Sequence, residues 1–180
     1  WIHEAEVNPG LANQVLSRYS SAVSVAFPNC TIRRKDAVFS GHPVRQQLLG
    51  IEPRESLPER SANILILGGS LGANAVDQAI RELVQFFDQR GLQLWHQCRP
   101  ENLDQLKELY AAHGLQARVD TFIHNLREAY EWADLIVSRA GAGVVMEISL
   151  VGRAVIFIPL PNAQGDHQGV NASLLVDAGR

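Results

Sequence analysis

From Asn63 onward, short apolar runs alternate with stretches of helical periodicity. The first run, Asn63 to Leu67, is apolar on both faces, which is typical of a parallel strand covered by helices on each side. Four further runs follow, and the pattern predicts strands at 63–68, 92–98, 118–123, 135–138 and 154–159, with helices at 73–90, 103–113, 125–132, 142–151 and 167–178. Successive strand–helix units of this kind predict an α/β fold with a doubly wound, Rossmann-like parallel sheet.

The first 62 residues are less regular. A proline turn predicts a helix from Leu11 to about Tyr19, and apolar runs predict strands at 22–27 and 37–41. The following stretch carries two prolines and alternating charges, which is typical of a linker. We therefore divide the chain into three parts: the end of a first α/β domain at 1–50, a linker at 51–62, and a second domain at 63–180. Both ends of the sequence look cut, so we expect a fragment, with the second domain truncated at its end.

Composition narrows the classes of partner. The chain is 46% hydrophobic and 19% charged, as in ordinary globular proteins, and its net charge of −3 argues against nucleic-acid binding. Cys30 and Cys98 are too far apart in sequence to form a metal-ligand pair, and we interpret them as free thiols in a reducing compartment. The sequence has no bilayer-length apolar run and no signal peptide, so we expect a cytoplasmic protein.

The turn after the strand at 63–68 is rich in glycine. Gly68, Gly69, Ser70 and Gly72 lie between this strand and a helix. Backbone N–H groups at a helix N-terminus can bind a phosphate or diphosphate, to which Ser70 adds a hydroxyl; a tight turn that needs small residues is the alternative. The turn is neither the dinucleotide fingerprint nor a P-loop, and the next strand ends in W-H-Q-C rather than in the acidic residue that NAD requires.

Three later turns offer side chains for a nucleotide sugar. Glu147 lies about one turn inside the helix after the strand at 135–138, where a carboxylate could accept hydrogen bonds from two ribose hydroxyls or simply favour a helix start. Ile123 could flank a flat base or pack in the core. The turn at 159–168 is dense in amides, which suit a sugar; its Asp166 is a reasonable N-cap, and its His167 is more readily structural than catalytic. We find no catalytic triad order, no metal-ligand spacing and no candidate nucleophile.

Taken together, six motifs resemble glycosyltransferase family 28, the MurG-type peptidoglycan N-acetylglucosaminyltransferases. They occur in the order of that family: I-H-E-x-x-x-x-P-G-L-A-N from Ile2, G-H-P-V-R from Gly41, G-G-S-L-G-A from Gly68, W-H-Q from Trp95, S-R-A-G-A-x-x-x-x-E ending at Glu147, and D-H-Q-x-x-N-A from Asp166. The resemblance implies a GT-B fold whose C-terminal domain binds the donor. It also implies inverting transfer of N-acetylglucosamine from UDP-N-acetylglucosamine to undecaprenyl-diphosphate-muramoyl-pentapeptide. We expect no cofactor, and the sequence has no Asp-x-Asp pair that could hold a cation near the diphosphate, which predicts a metal-independent mechanism.

Carried over position by position, the resemblance assigns the donor-binding residues. Arg45 and Ser70 would contact the diphosphate, Ile123 the uracil through its backbone, Glu147 the ribose, and Gln168 the hydroxyls of N-acetylglucosamine. The nucleotide pocket would be lined by Ala142, Gly143, Val144, Val145 and Met146.

The resemblance also marks departures and parts that this sequence does not carry. Glu6 stands where the family has an asparagine that touches the donor sugar, so that contact is in question. The general base is expected in an N-terminal glycine-rich loop outside this sequence, so we assign no catalytic residue here. The acceptor site and a surface that holds the protein at the inner face of the membrane are expected in the same missing domain.

Two other functions stay open at this stage. The first is another UDP-sugar glycosyltransferase or epimerase on the same scaffold; an epimerase would need its own acid and base, for which Glu147 is the one good carboxylate. The second is a non-catalytic module that binds a nucleotide sugar.

Overall fold

The computed structural model describes residues 1–59, 61–68, 74–87, 91–160 and 166–177. Within these ranges the strands are β1 (Ile2–Glu4), β2 (Val23–Val25), β3 (Val38–Phe39), β4 (Ala62–Leu67), β5 (Leu92–Gln97), β6 (Gln116–Asp120), β7 (Leu135–Ser138) and β8 (Ala154–Phe157). The helices are α1 (Leu11–Leu16), α2 (Asn74–Leu83), α3 (Leu103–Ala112), α4 (Leu126–Trp132), α5 (Ala142–Val151) and α6 (His167–Asp177). Short 3₁₀ turns occur at Gln46–Leu48, Val84–Phe86 and Pro100–Asn102.

The main sheet has five parallel strands in the order β6-β5-β4-β7-β8. The chain runs outward from β4 to β6 on one side and then crosses back to β7 and β8 on the other, so the strand order reverses between β4 and β7. In register, Leu67 lies opposite both Gln97 and Ser138, which aligns the carboxyl ends of the central strands. The predicted α/β, doubly wound parallel sheet is confirmed.

Both faces of this sheet are buried, which explains the uninterrupted apolar run in β4. Ile64 and Ile66 pack with α2 and α3, whereas Leu65 and Leu67 pack with α4 and α5 on the opposite face. Successive strand residues point to opposite faces of the sheet. Since helices cover both faces, residues of both orientations are buried and apolar.

Several predicted boundaries are wrong: the helix expected from Leu11 to about Tyr19 ends at Leu16, and the strands expected at 22–27, 37–41 and 154–159 are shorter. Two further elements differ more. The helix expected at 73–90 ends as an α-helix at Leu83 and closes in the 3₁₀ turn Val84–Phe86, where β-branched and aromatic residues replace strong helix formers. The strand expected at 118–123 is Gln116–Asp120 instead. It ends at Asp120 because that residue pairs with Gln97, the last residue of its neighbour β5.

A second, smaller parallel sheet contains β1, β2 and β3 in that order. After this sheet, the chain packs against the main sheet before β4 begins. Leu48 and Ile51 are buried in the apolar cluster beneath α4 and α5. The next residues are tied to the same body, because Arg153 Nη1 donates to the Glu52 carbonyl (2.7 Å) and the Arg54 N–H donates to the Gly152 carbonyl (3.0 Å). The division at 50 and 62 stays a prediction.

In the part of the chain that the structure describes, no helix combines the length and apolarity needed to cross a membrane. The same described residues contain no group of three or more His, Cys, Asp or Glu side chains placed to hold a metal ion.

Candidate functional site

The carboxyl edge of the main sheet, at the reversal between β4 and β7, is where ligands bind in open α/β sheets. Gly68 follows β4 there, and its N–H donates to the Gln97 carbonyl (3.3 Å), which continues the pairing of β4 with β5 by one hydrogen bond. The other residues expected to hold the diphosphate, Gly69, Ser70 and Gly72, lie outside the described residues. Their role stays a prediction.

A buried carboxylate lies on the α5 side of this reversal. Glu147 is 7% exposed, and its Oε1 forms an ion pair with Arg45 Nη1. Its Oε2 accepts a hydrogen bond from the Tyr130 hydroxyl (3.1 Å). Two residues that the sequence assigned to the donor, 102 positions apart, are thus in direct contact. The side chain of Arg45 is 53% exposed, so this partner faces solvent whereas Tyr130, 1% exposed, does not.

Two titratable side chains near Glu147, those of Tyr130 and His42, have shifted pKa values. Burial raises the pKa of Tyr130, and the nearby Glu147 carboxylate raises it further, so the phenol stays a neutral donor. Burial also lowers the pKa of His42, as does His3, whose ring centroid is 6.0 Å away; Glu147 and Glu6 oppose this shift without cancelling it. His42 is therefore a predominantly neutral imidazole at neutral pH.

The stretch at the start of α5, expected to line the nucleotide pocket, has two faces. Ala142 is buried against Val7 and Phe27, and Val145 is buried with Leu175, so these side chains belong to the core. Gly143 faces the other way: a Cβ added there would lie 3.4 Å from His42 Nε2. Val144 and Met146 are partly buried at the margins of apolar clusters.

The start of α6 brings amides to the same edge. Gln168 Oε1 accepts a hydrogen bond from the Leu160 N–H (2.9 Å), just beyond β8. Asn171 is fully buried, and its Nδ2 donates to Glu6 Oε2 (2.5 Å) and to the Ala140 carbonyl (3.2 Å). Its Oδ1 is buried without a hydrogen-bond partner among the described residues. Glu6 is thereby fixed beside α6 although it lies 165 positions earlier.

Ile123 is 4% exposed and packs in the cluster beneath α4, with Trp95 among its members. Its side chain is a core residue, so the predicted contact with uracil would use its backbone. Its position after β6 agrees with the expected edge of the sheet. The base contact itself stays a prediction.

Sequence reasoning missed Tyr130. It lies inside an amphipathic helix, and its spacing is that of an ordinary core residue, so no signal in the sequence distinguished it. Asn171 was noted only as one amide in a motif. Its link to Glu6 depends on a contact between distant parts of the chain.

In chemical terms, this edge combines a buried carboxylate, an exposed guanidinium and two amide side chains around the reversal of strand order. Carboxylates and amides accept hydrogen bonds from hydroxyls, and a guanidinium binds phosphate oxygens. The arrangement suits a polyhydroxylated ligand that carries negative charge.

Comparisons with known proteins agree with this chemistry. Residues 63–180 match the family model described as the glycosyltransferase family 28 C-terminal domain. Two curated relatives, from Alcanivorax borkumensis and Shewanella oneidensis, are each 39% identical to the chain over 181 and 183 residues; the match covers 99% of this chain and 50% of each relative. Both are named UDP-N-acetylglucosamine–N-acetylmuramyl-(pentapeptide) pyrophosphoryl-undecaprenol N-acetylglucosamine transferase.

Among solved structures, the crystal structure of MurG from Acinetobacter baumannii superposes with a TM-score of 0.78 at 37% identity, covering 99% of this chain and 51% of that one. The chain therefore spans about half the length of the relatives that it matches.

Proposed function

The chain belongs to glycosyltransferase family 28, and we propose that it is the donor-binding half of an enzyme that transfers N-acetylglucosamine from UDP-N-acetylglucosamine to a lipid-linked muramyl pentapeptide. The names of the relatives support this substrate pair. The matched family model describes residues 63–180, which hold almost all of the main sheet, as a C-terminal domain, and the family resemblance implies that this domain binds the donor.

One observation carries the proposal: the buried Glu147 carboxylate is held between Arg45 and Tyr130 beside the reversal of strand order. A carboxylate in that position can accept hydrogen bonds from the two vicinal hydroxyls of a ribose. Arg45 is exposed enough to turn from Glu147 to the diphosphate, where a guanidinium can form paired hydrogen bonds to phosphate oxygens. Uridine and diphosphate would thus lie across the edge between α5 and the Gly68 turn.

The sugar would lie toward α6. Gln168 provides an amide next to β8, and Asn171 holds Glu6 while its own Oδ1 has no partner among the described residues. Together these groups accept and donate hydrogen bonds, which suits the hydroxyls and the acetamido group of N-acetylglucosamine.

In the reaction, a hydroxyl of the acceptor would attack the anomeric carbon from the face opposite UDP, with inversion. The C–O bond to the diphosphate breaks, and negative charge grows on the leaving UDP. Arg45 and the N-terminus of α2 would stabilise that charge. The base that removes the proton from the acceptor would come from the half of the relatives' length that this chain does not span.

The acceptor named for the relatives is linked to undecaprenol, a lipid. We therefore expect the complete protein to work at the cytoplasmic face of the membrane, with contact to the lipid made outside the donor-binding half.

The proposal is tested by isothermal titration calorimetry of the chain with UDP-N-acetylglucosamine, UDP-glucose and UDP. We expect UDP-N-acetylglucosamine to bind more tightly than UDP-glucose. Glu147→Gln should weaken binding of all three ligands about 10-fold or more, because a charge-assisted hydrogen bond is worth about 1.5–3 kcal/mol. Gln168→Ala should weaken UDP-N-acetylglucosamine but leave UDP unchanged.

Glu131→Gln is the matched control, since that carboxylate is exposed on α4 and pairs with Arg127 rather than with Arg45. It should bind all three ligands like the unmodified chain. Absence of UDP binding, or an equal loss with Glu131→Gln and Glu147→Gln, would refute the proposed donor site.

A further inference from the structure

The carboxylate of Glu147 has two partners of different character. Arg45 Nη1 contacts Oε1 from an exposed side chain, whereas the Tyr130 hydroxyl reaches Oε2 from inside the protein. An exposed ion pair exchanges readily with water or with a ligand. A hydrogen bond made by a side chain that is 1% exposed does not exchange in this way.

Tyr130 lies in α4, and its ring packs in the apolar cluster that contains Leu65, Ile136 and Ile148. A hydroxyl in such surroundings is costly to bury unless it forms a hydrogen bond. Among the described residues, this hydroxyl donates a hydrogen bond to Glu147 Oε2 (3.1 Å). Phenylalanine would fill the same volume, so the polar atom is not needed for packing.

The protonation states fix the direction of this hydrogen bond. Burial and the neighbouring carboxylate both raise the pKa of Tyr130, so its O–H donates and the carboxylate accepts. The bond orients Glu147 by one of its two oxygens. Once Arg45 turns away, the remaining lone pairs of the carboxylate, most of all those on Oε1, can accept hydrogen bonds from a ligand.

We propose that Tyr130 is a positioning residue: it holds the Glu147 carboxylate in the orientation in which it accepts hydrogen bonds from the ribose hydroxyls of the donor. This rests on the proposed function, because it assigns to Tyr130 the geometry of the site proposed for the ribose. Tyr130 itself does not touch the ligand; it acts through Glu147.

The consequence is specific to the ribose. If Tyr130 orients Glu147, loss of the hydroxyl should weaken the contact with the ribose hydroxyls and leave contacts with the base and the diphosphate in place. A tyrosine that only fills the core would change stability without changing which nucleotide is preferred. The preference for UDP over 2′,3′-dideoxy-UDP, which lacks both ribose hydroxyls, therefore separates the two roles.

The test measures the dissociation constants of UDP and 2′,3′-dideoxy-UDP for the unmodified chain and for Tyr130→Phe. We expect the unmodified chain to prefer UDP, and Tyr130→Phe to reduce that preference at least threefold, through weaker binding of UDP with little change for 2′,3′-dideoxy-UDP. Tyr110→Phe is the matched control: it removes another buried hydroxyl, which contacts His96 Nδ1 at 2.8 Å beneath α3 on the opposite face of the sheet. Its preference should equal that of the unmodified chain.

The outcomes separate the two proposals. If the unmodified chain prefers UDP and Tyr130→Phe keeps the same preference, the positioning role is refuted and the donor site stands. If the unmodified chain binds neither nucleotide, or binds both equally, the proposed ribose site itself is refuted. If Tyr110→Phe loses the preference to the same degree as Tyr130→Phe, the effect reports loss of structure, and the positioning role is again refuted.

Discussion

Arg153 is a buried cation that ties together the two helices of the candidate site. It is 8% exposed and follows Gly152, the C-cap residue just after α5. Its Nε donates to the carbonyls of Tyr130 (3.0 Å) and Ala133 (2.9 Å), and its Nη1 donates to those of Val151 (2.8 Å) and Glu52 (2.7 Å). Three of these carbonyls lie at the ends of α4 and α5, where a helix has no partner of its own.

Substitution of Arg153 by methionine keeps much of the side-chain volume and removes all four hydrogen bonds. A buried acceptor left without a partner costs about 1–3 kcal/mol. A groove of about 520 Å³, lined by Arg54, Gly152 and Arg153 itself, opens beside the guanidinium. The hydrogen bond to the Glu52 carbonyl is only partly buried, whereas the other three are buried. At about 1 kcal/mol for each of the three buried carbonyls, we expect a total loss of about 3 kcal/mol in the free energy of unfolding. For a domain of this size that corresponds to about 6–12 °C in Tm.

Urea denaturation followed by circular dichroism measures this loss, provided that the m-value is unchanged. The matched control is Arg127→Met. Arg127 also donates to two backbone carbonyls, those of Gln47 (2.8 Å) and Leu49 (3.0 Å), but its side chain is 38% exposed. We expect that variant to lose about 1 kcal/mol or less. Equal losses in the two variants, or a loss below about 1 kcal/mol for Arg153→Met, would refute the assignment of burial as the cause.

Two further stability predictions follow from buried polar contacts and from backbone geometry. Burial alone would raise the pKa of Asp77, but hydrogen bonds from His96 (3.2 Å) and Asn102 (2.6 Å) outweigh it, so the carboxyl has a pKa below its ordinary value. Its contribution to stability is thus present above about pH 4 and lost as the pH falls through the lower folded-state pKa. The gap between the urea midpoints of the unmodified chain and Asp77→Asn should therefore stay constant from about pH 6 to pH 4 and narrow as the pH falls further, and a gap that does not narrow would contradict this. Gly152 has φ +57°, and a Cβ there would lie 2.6 Å from Pro53 Cβ. Gly152→Ala should therefore lower the free energy of unfolding by about 1–3 kcal/mol in the same assay. Gly10→Ala, where a Cβ meets open space, should lower it by less than about 1 kcal/mol, and equal losses would contradict the steric reason.

The main sheet could be predicted from sequence because its signals are local. The run from Asn63 to Leu67 has no polar alternation, and that pattern requires cover on both faces, as Ile64 and Leu65 show by packing on opposite sides. Element ends were harder to place. Where β6 ends is decided by its neighbour, since Asp120 pairs with the last residue of β5, and no pattern within 118–123 carries that information.

The candidate site divides in the same way. Glu147 and Gln168 could be found because they follow strand ends, where the fold places ligands. The pairing of Arg45 with Glu147 could not be predicted. The two residues lie 102 positions apart, and the sequence assigned them to different parts of the ligand, the diphosphate and the ribose. Tyr130 was missed for a related reason. A tyrosine at a core position of α4 is expected to fill space in the core, and only the structure shows that its hydroxyl forms a hydrogen bond with the carboxylate of Glu147.

The central claim is that the carboxyl edge of the main sheet binds UDP-N-acetylglucosamine, and a crystal structure of the chain with that ligand tests it most directly. We expect the ribose hydroxyls within hydrogen-bond distance of Glu147, Arg45 turned from Glu147 to the diphosphate, and the sugar beside Gln168. A nucleotide bound elsewhere, such as in the groove beside Arg153, with the Arg45–Glu147 ion pair intact, would contradict the claim.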